Sequence, residues 1–284
     1  MTDLKEAAKE VRKNTLFCIE SIGKGHVGGC MSAGEVLTAL YFKHMRIDPR
    51  NPQKEGRDRF VCSKGHAGPA LYAILAMKGY FDPKILETLN RPHTILPSHC
   101  DMNKTPGIDM TAGSLGQGFS CAVGIALGSR IRKDGARVYA LIGDGESQEG
   151  QIWEAAMYAG HKKLDNLIAF LDMNGCQVDG NVRDICDIEP VADKWKAFGW
   201  HVIDVCDGND IEQVDRAIVD AKSVKGKPVM VVLRTVKGKG VSFVEALGSA
   251  NHHINFDEED YRKACQEIDG KQITVDTNKK FENI

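Results

Sequence analysis

Two polar residues that follow neighbouring apolar runs have the chemistry of a magnesium site. Asp144 lies between Gly143 and Gly145 directly after one run, and Asn174 ends the next. Mg²⁺ prefers oxygen ligands and commonly keeps phosphate oxygens among them. The Asp144 carboxylate, the Asn174 amide oxygen and the backbone carbonyl of Cys176 would supply three ligands and leave positions for a diphosphate and water. The two glycines would let the backbone approach that anion closely.

The GDG sequence also has a simpler interpretation. A turn from strand to helix often carries an aspartate as the helix cap and an asparagine in an Asx turn. The spacing, however, places Asn174 at the tip of the strand adjacent to Asp144, so both side chains would lie at one edge of a parallel sheet. The pair therefore favours a site for a metal ion and a diphosphate.

Four histidines lie in short segments that place small or polar residues beside them. They are His26 in SIGKGHVGG, His66 in SKGHA, His99 in LPSHC and His252 in NHH. An imidazole titrates near neutral pH, so it can exchange protons with a substrate or recognise its hydroxyl groups. A single histidine is more often a surface or core residue, so the functional interpretation depends on these surrounding motifs.

The segment GKGHVG, residues 23–28, satisfies the GxGxxG fingerprint of dinucleotide-binding proteins. In those proteins the fingerprint follows a strand and opens a helix. Here it follows a helical pattern, and this context argues against a dinucleotide site. A Rossmann-like nucleotide-binding domain is therefore the least favoured alternative, and it would bind NAD independently of Mg²⁺.

The elements that position these residues alternate along the chain. Short apolar, β-rich runs are separated by longer helical patterns, which predicts an α/β fold: a parallel sheet with helices on both faces. The runs predict strands buried on both faces. The predicted strands are residues 59–62, 137–142, 167–172, 200–205 and 228–234, and the predicted helices are residues 32–43, 68–78, 115–133, 146–162 and 211–223. Ligands in such sheets bind beyond the carboxyl ends of the strands, where the loops 63–66, 143–149 and 172–180 lie.

Composition indicates the number of domains, the cellular compartment and the kinds of partner that are excluded. The chain has 284 residues, of which 42% are hydrophobic, and we expect one domain over residues 1–284 with a loose polar tail over 269–284. Its 37 basic and 39 acidic side chains nearly cancel, so no overall positive field would hold nucleic acid or a membrane surface. Nine scattered cysteines without a CxxC pair, and the lack of a secretory or membrane-spanning apolar run, predict a reduced, cytoplasmic protein.

The motifs resemble those of one enzyme family. Residues 143–180, GDGESQEGQIWEAAMYAGHKKLDNLIAFLDMNGCQVDG, are similar to the thiamin diphosphate motif of transketolases at nearly every position. The histidine segments and the segment TAGSLGQG, residues 111–118, resemble further motifs of that family. The resemblance covers approximately residues 5–261 and matches the first, diphosphate-binding domain of transketolases, closest to those whose two halves are separate polypeptides. It implies thiamin diphosphate and Mg²⁺ as cofactors.

The resemblance also implies roles for individual residues. His26 and His252 would handle proton transfer and hydroxyl recognition, while His66 and His99 would orient diphosphate or substrate oxygens. All four are expected catalytic residues, and Leu115 would help to hold the bent cofactor. The expected cofactor contacts are His66, Gly113, Ser114, Leu115, Gly143, Asp144, Gly145, Glu149, Asn174 and His252, and the expected metal ligands are Asp144, Asn174 and Cys176.

Three further expectations concern the surroundings of the cofactor. Residues 111–118 would open a long helix whose free N–H groups and positive dipole end favour an anion. Glu149 and Glu154 would lie at a subunit interface near the cofactor, although either could be a solvated helix charge. The basic loop with Lys237 and Lys239 has the composition of a mobile segment that closes over the diphosphate.

The implied reaction transfers a two-carbon ketol unit from a ketose to an aldose. The cofactor carbanion attacks the ketose carbonyl, a base removes the neighbouring hydroxyl proton, and the carbon–carbon bond breaks. In the family a pyrimidine-binding domain supplies the glutamate that activates the cofactor, and this chain has no room for that domain. We therefore expect a separate C-terminal subunit, sugar substrates and a heterotetramer with two copies of each chain.

Some positions depart from the family pattern. Ser98 and Cys100 replace the Gly and Pro that usually flank the third histidine, and His253 stands where Gly often follows the fourth. Because these positions face the substrate in the family, we expect an unusual donor or acceptor sugar. The resemblance leaves open an α-type subunit of a 2-oxoacid dehydrogenase, a synthase of deoxyxylulose phosphate type, or a non-catalytic cofactor-binding subunit.

Overall fold

A computed structural model describes residues 3–270 of the chain, which contain nine strands and eleven α-helices. The strands are Lys24–Gly25 (β1), Arg59–Cys62 (β2), Val138–Gly143 (β3), Leu167–Met173 (β4), Cys176–Gln177 (β5), Gly180–Asn181 (β6), His201–Val205 (β7), Val229–Arg234 (β8) and Ile254–Asn255 (β9). Five of them form one parallel sheet in the order β2-β3-β4-β8-β7. The pairs β1–β9 and β5–β6 are short antiparallel ribbons.

The helices fill the connections between the strands. They are Leu4–Glu20 (α1), Gly28–Met31 (α2), Gly34–Ala39 (α3), Gly68–Met77 (α4), Gln117–Arg132 (α5), Gly150–His161 (α6), Val182–Cys186 (α7), Val191–Ala197 (α8), Ile211–Ser223 (α9), Ser242–Glu245 (α10) and Glu258–Ile268 (α11). Leu40–His44 continues α3 as a π-helix, and short 3₁₀ turns cover Gly65–Ala67, Pro83–Thr88, Glu146–Gln148 and Gly248–His252. Within the described residues, no helix is both long and apolar enough to cross a membrane.

The sheet has a hydrophobic core on each face. Side chains alternate along a strand, so Tyr139 and Leu141 of β3 pack with α1, α3 and α4, whereas Val138 and Ala140 pack with α5 and α6 on the other side. All four side chains are fully buried. The predicted α/β fold, a parallel sheet with helices on both faces, is thus confirmed.

The predicted strand boundaries agree with the structure to within one residue, but one burial prediction is wrong. The prediction that all five strands are buried on both faces fails for β7, where His201 and Asp204 are exposed. This strand lies at the edge of the sheet, so it has a neighbour on one side only.

Three helix predictions need correction. The helix predicted over residues 32–43 is α3 followed by the π-helix, the helix predicted over 115–133 begins two residues later at Gln117, and the helix predicted over 146–162 is a 3₁₀ turn followed by α6. The predicted loose tail, residues 269–284, lies outside the described part of the chain from residue 271 onward. The single domain stays a prediction.

Candidate active site

The carboxyl ends of β3 and β4 bring the predicted metal ligands together. These strands are parallel neighbours with Gly143 in register with Asp172, so the residues that follow them share one edge of the sheet. Asp144 is buried, and its Oδ1 and Oδ2 accept hydrogen bonds from the backbone N–H groups of Gly145 at 2.8 Å and Gly175 at 2.5 Å. The Asn174 Oδ1 accepts a bond from the Cys176 N–H at 3.1 Å.

The Asp144 carboxylate is buried, and among residues 3–270 it makes no ion pair. Burial and the nearby charge of Asp172 raise its pKa from 3.8 to about 6, against the opposing effect of the two backbone N–H donors. In residues 3–270 no group of three or more His, Cys, Asp or Glu side chains is placed to hold a metal ion. A cation here would need amide and carbonyl oxygens as well, and Asn174 and Cys176 offer these. This oxygen donor set fits Mg²⁺.

A buried aspartate beneath this site was missed by sequence reasoning. Asp172 accepts hydrogen bonds from Lys64 Nζ, Thr235 Oγ1, Ser32 Oγ at 2.6 Å and Asn174 Nδ2 at 3.1 Å. The last bond fixes the Asn174 amide so that its Oδ1 points away from Asp172. Burial by itself would raise the pKa of Asp172, but the charge and hydrogen bond of Lys64 lower it overall.

The Lys64–Asp172 pair is almost completely withdrawn from solvent. The side chains are 2% and 1% exposed. Lys64 also lies under Gly143 and lines the candidate cavity, so its charge is available to Asp172 and to a ligand at the same edge. A charged residue inside an otherwise apolar strand was the sequence signal that could have identified Asp172.

A second overlooked carboxylate joins three loops. Glu146 is buried and accepts hydrogen bonds from Ser63 Oγ at 2.5 Å, Gly116 N at 2.8 Å and Gly143 N at 3.0 Å. Ser63 Oγ in turn accepts a bond from Phe119 N at 2.9 Å. The SKGHA, LGQG and GDG loops therefore form one connected unit. Burial raises the pKa of Glu146, and the three donors oppose that rise.

These contacts change the expected role of the α5 N-terminus. The helix begins at Gln117, and the N–H groups of Gly116 and Phe119 donate to side chains of the protein. The expectation of a freely available helix N-terminus over residues 111–118 is therefore wrong for these two donors.

The four predicted histidines meet in one cluster, and a fifth joins them. The centroid of the His26 ring lies 5.5 Å from that of His66, 5.6 Å from His99, 5.3 Å from His252 and 4.9 Å from His253. The His66 and His252 rings are 5.0 Å apart. The segments that carry them come from four separate parts of the chain, so the fold itself assembles the cluster.

Four of the five clustered histidines have a pKa below the ordinary value for histidine. Burial, followed by the neighbouring His253, lowers the pKa of His26 to about 4, and burial followed by Lys237 lowers that of His252 to about 3. The pKa of His66 is well below its ordinary value, mainly through burial, and burial also lowers that of His99. A neutral imidazole can accept a proton, and a bound anion would raise these pKa values by favouring the charged form.

A cavity of about 220 Å³ joins the predicted metal site to the histidine cluster. The predicted site residues that line it are His66, Leu115, Gly143, Asp144, Gly145, Glu149, Asn174, Cys176 and His252. Gly113 and Ser114 are exposed and do not line it, so the structure does not bring these two into the cavity. His26 adjoins it through its ring contacts with His66 and His252, and His99 is linked to it through His26. Glu154 is exposed on α6, away from the lining.

The basic loop after β8 is anchored, contrary to the expectation of a mobile segment. Lys237 is 4% exposed, lines the cavity and places its Nζ 3.3 Å from His252 Nδ1. The Gly238 N–H donates to the Gly28 carbonyl at 3.1 Å, and the Gly240 N–H donates to Glu245 Oε1 at 2.7 Å. The loop thus supplies a buried cation to the cavity.

Comparisons with known proteins identify the family of the chain. Residues 4–281 match the family model "Transketolase, thiamine diphosphate binding domain". The chain is 55% identical over 267 residues to the 6-deoxy-6-sulfo-D-fructose transketolase subunit of Clostridium sp. (strain MSTE9), covering 94% of this chain and 96% of that protein. It is 38% identical to a subunit of the apulose-4-phosphate transketolase of Phocaeicola vulgatus, with 93% of each chain covered.

Solved structures show the same fold. The transketolase from Leishmania mexicana superposes with a TM-score of 0.88 and 31% sequence identity, over 95% of this chain and 42% of that one. The chain thus spans less than half of this larger relative.

Proposed function

Because the chain belongs to the transketolase family and corresponds to its thiamine diphosphate binding domain, we propose that it is the N-terminal subunit of a two-chain, Mg²⁺-dependent transketolase. The proposed reaction transfers a two-carbon ketol unit from an anionic ketose to an aldose. It requires a separate C-terminal subunit that carries the pyrimidine-binding domain and its activating glutamate.

One observation carries this proposal: a single cavity connects the buried Asp144 carboxylate to the histidine cluster. His66 and His252 line this cavity and also contact the ring of His26. A cofactor with a diphosphate at one end and a reactive ring at the other would therefore meet metal ligands at one end and imidazoles at the other.

The proposed cofactor contacts follow from the donor atoms present. Asp144, Asn174 and the Cys176 carbonyl would hold Mg²⁺, and the buried Lys237 would offset diphosphate charge. Gly145 must lack a side chain, since a Cβ there would lie 2.9 Å from Gln177 Cβ and narrow the cavity. When bound, thiamin diphosphate supplies the carbanion chemistry of the reaction.

The histidines would handle protons and hydroxyl groups of the sugar. His26 contacts all four of the other rings, so it is the central member of the cluster. We assign proton transfer to His26 and His252, and orientation of diphosphate or substrate oxygens to His66 and His99. Neutral imidazoles suit both tasks because each has one donor and one acceptor nitrogen.

The size and exposure of the cavity support a partner subunit. Its volume of about 220 Å³ is below the roughly 300–1,000 Å³ of most small-molecule sites, so further walls are needed. Val178 lines the cavity and is 63% exposed, and Ile185 nearby in the chain is 49% exposed. We propose that the pyrimidine-domain subunit covers these residues in a heterotetramer. All nine cysteines are free thiols, which supports a cytoplasmic location.

The donor sugar is proposed from the relatives and from one residue. The 55% identity to a 6-deoxy-6-sulfo-D-fructose transketolase subunit points to a sulfonated ketose as donor. Of the three positions that depart from the family pattern, His253 is the one whose ring contacts His26, whereas Cys100 is buried and Ser98 accepts a hydrogen bond from Asn90 Nδ2 at 2.5 Å.

The proposal is tested by reconstitution. The chain is mixed with its pyrimidine-domain partner, thiamin diphosphate and Mg²⁺, and ketol transfer is followed with 6-deoxy-6-sulfo-D-fructose and with xylulose 5-phosphate as donors. We expect turnover only in the complete mixture and a higher kcat/KM for the sulfonated donor. Equal turnover of both donors would contradict the assignment of the donor, and no turnover with any ketose would contradict the proposed function.

Replacing His253 with glycine should weaken recognition of the donor. The exposed ring stands beside His26, where it can bond a sugar hydroxyl. Loss of one such bond should raise the KM for the sulfonated donor about 3–10-fold, with a smaller change in kcat. The His253→Gln variant keeps a side chain that can hydrogen-bond and should recover most of that loss. A lower kcat at constant KM would contradict a recognition role.

The state of Asp144 should make metal binding sensitive to pH. Its pKa of about 6 means that the carboxyl is protonated below that pH and cannot bind a cation, so Mg²⁺-dependent affinity should fall as pH drops through 6. The same raised pKa means that this group stabilises the fold most when protonated, and that contribution is lost as pH rises through 6. NMR titration of the Asp144 carboxyl carbon in the chain alone checks both statements. A midpoint near the ordinary value of 3.8 would contradict them.

A further inference from the structure

A second cavity lies at the amino ends of the parallel strands, opposite the carboxyl ends that form the candidate active site. Its volume is about 450 Å³. The residues that line it precede β2, β3, β4 and β8, so they lie at the amino ends of the parallel strands, with the end of α5 beside them. This volume is within the roughly 300–1,000 Å³ range of small-molecule sites.

The cavity concentrates positive charge. Its charged lining residues are Arg46, Arg130, Lys133, Arg137, Lys225 and Asp165. Only Arg46 has a carboxylate partner among these cations, since it pairs with Asp58 at 2.8 Å. Within residues 3–270 the other four make no ion pair. The whole chain carries a net charge of −2, so this cluster is a local excess of cations.

The positive charge of this cluster also affects the pKa of a neighbouring lysine. Lys222 donates a hydrogen bond to the His44 carbonyl at 2.9 Å, and its pKa is lowered by burial and then by the nearby charge of Arg137. Like charges held together repel one another, and an anion between them would relieve that repulsion.

The usual structural reason for such cations accounts for only part of the cluster. Basic side chains often offset the negative end of a helix dipole. Arg130 serves in this way, because its Nη1 donates to the carbonyls of Lys162 and Lys163 at 2.8 and 3.0 Å, just after α6. Arg137 instead stands before β3, and its guanidinium has no hydrogen bond to any described residue.

The cavity wall also contains an unsatisfied acceptor. Asn166 Nδ2 donates to the Ala126 carbonyl at 2.9 Å, which fixes the orientation of the amide. Its Oδ1 is buried and has no hydrogen-bond partner. This oxygen is closed off from solvent, so it is a cost of the internal packing and offers no contact to a ligand in the cavity.

We propose that this cavity binds a small phosphate ester. The phosphate bonds the free guanidinium of Arg137, whose planar donors match phosphate oxygens, and Lys133 and Lys225 add charge. This site does not depend on the proposed transketolase activity.

Glycerol 3-phosphate and inorganic phosphate are suitable probes. Each is titrated calorimetrically into the full chain at fixed ionic strength, and hydrogen–deuterium exchange locates the bound probe. We expect saturable binding of both probes and protection of residues 129–137. The Arg137→Gln variant should weaken binding at least about tenfold, equivalent to about 1.4 kcal/mol.

Two further variants make the test decisive. Lys225→Gln changes an exposed lining residue and should weaken binding without affecting the fold, whereas Lys227→Gln, in the same loop but outside the lining, should leave binding unchanged. No saturable binding, equal weakening by Lys227→Gln, or protection at residues 143–149 in place of 129–137 would each overturn the proposal.

Discussion

Replacing Asp144 with asparagine should lower the Mg²⁺-dependent affinity for thiamin diphosphate at least about 100-fold, or about 2.7 kcal/mol. The carboxylate is the one charged ligand in the proposed set, and its negative charge is the main attraction for the cation. Isothermal titration of the cofactor with Mg²⁺ into the mixture of both subunits measures the change.

The same substitution should leave the fold intact, which separates binding from stability. At neutral pH the ionised Asp144 carries a burial cost, as its raised pKa shows, and asparagine removes that cost. Asparagine has one acceptor oxygen in place of two, so it loses one of the two backbone hydrogen bonds, and the two effects oppose each other. We expect the free energy of unfolding without Mg²⁺ to change by less than about 1 kcal/mol. Asp193→Asn, at an exposed position on α8, is the matched control. Affinity within a few-fold of the unmodified protein would rule out Asp144 as a metal ligand.

Replacing Lys64 with methionine should destabilise the chain by about 3–5 kcal/mol, because it leaves Asp172 as an unpaired charge in the interior. Both partners are withdrawn from water, so solvent cannot compensate for the lost cation. Denaturant unfolding of the chain alone measures the effect. The variant should also weaken cofactor binding, since Asp172 orients the amide of Asn174.

A double variant and a surface control identify the cause. Lys64→Met combined with Asp172→Asn removes both charges and should recover a large part of the lost stability. Lys196→Met breaks an exposed ion pair with Asp193 and should leave the unfolding transition nearly unchanged. A double variant that is less stable than Lys64→Met alone would show that the pair is not the origin of the effect.

The sequence predicts the sheet and the Asp144–Asn174 pair because both depend on short-range patterns. Apolar runs mark β3 and β4, and residues that directly follow parallel neighbours must share an edge. The exposed β7 could not be recognised in this way. Its residues have the β-rich composition of a central strand, and only the order of the strands places it at the edge.

The buried polar contacts could not be predicted from local patterns. Ser63, Gly116 and Glu146 meet through long-range packing, since Ser63 and Gly116 lie 83 and 30 positions away from Glu146 in the chain. The partner of Lys64 is 108 positions away in the chain, so no local motif reveals it. Long-range pairs of this kind become apparent only when the sheet fixes which loops are neighbours.

The claim that the cofactor site is shared is tested most directly by calorimetry of thiamin diphosphate and Mg²⁺ binding, first to this chain alone and then to its mixture with the pyrimidine-domain subunit. The cavity has its metal ligands and histidines on this chain but lacks part of its walls. We therefore expect weak or no binding to the chain alone and tight, Mg²⁺-dependent binding to the mixture. Equally tight binding with and without the partner, or no Mg²⁺-dependent binding in the mixture, would contradict a shared site.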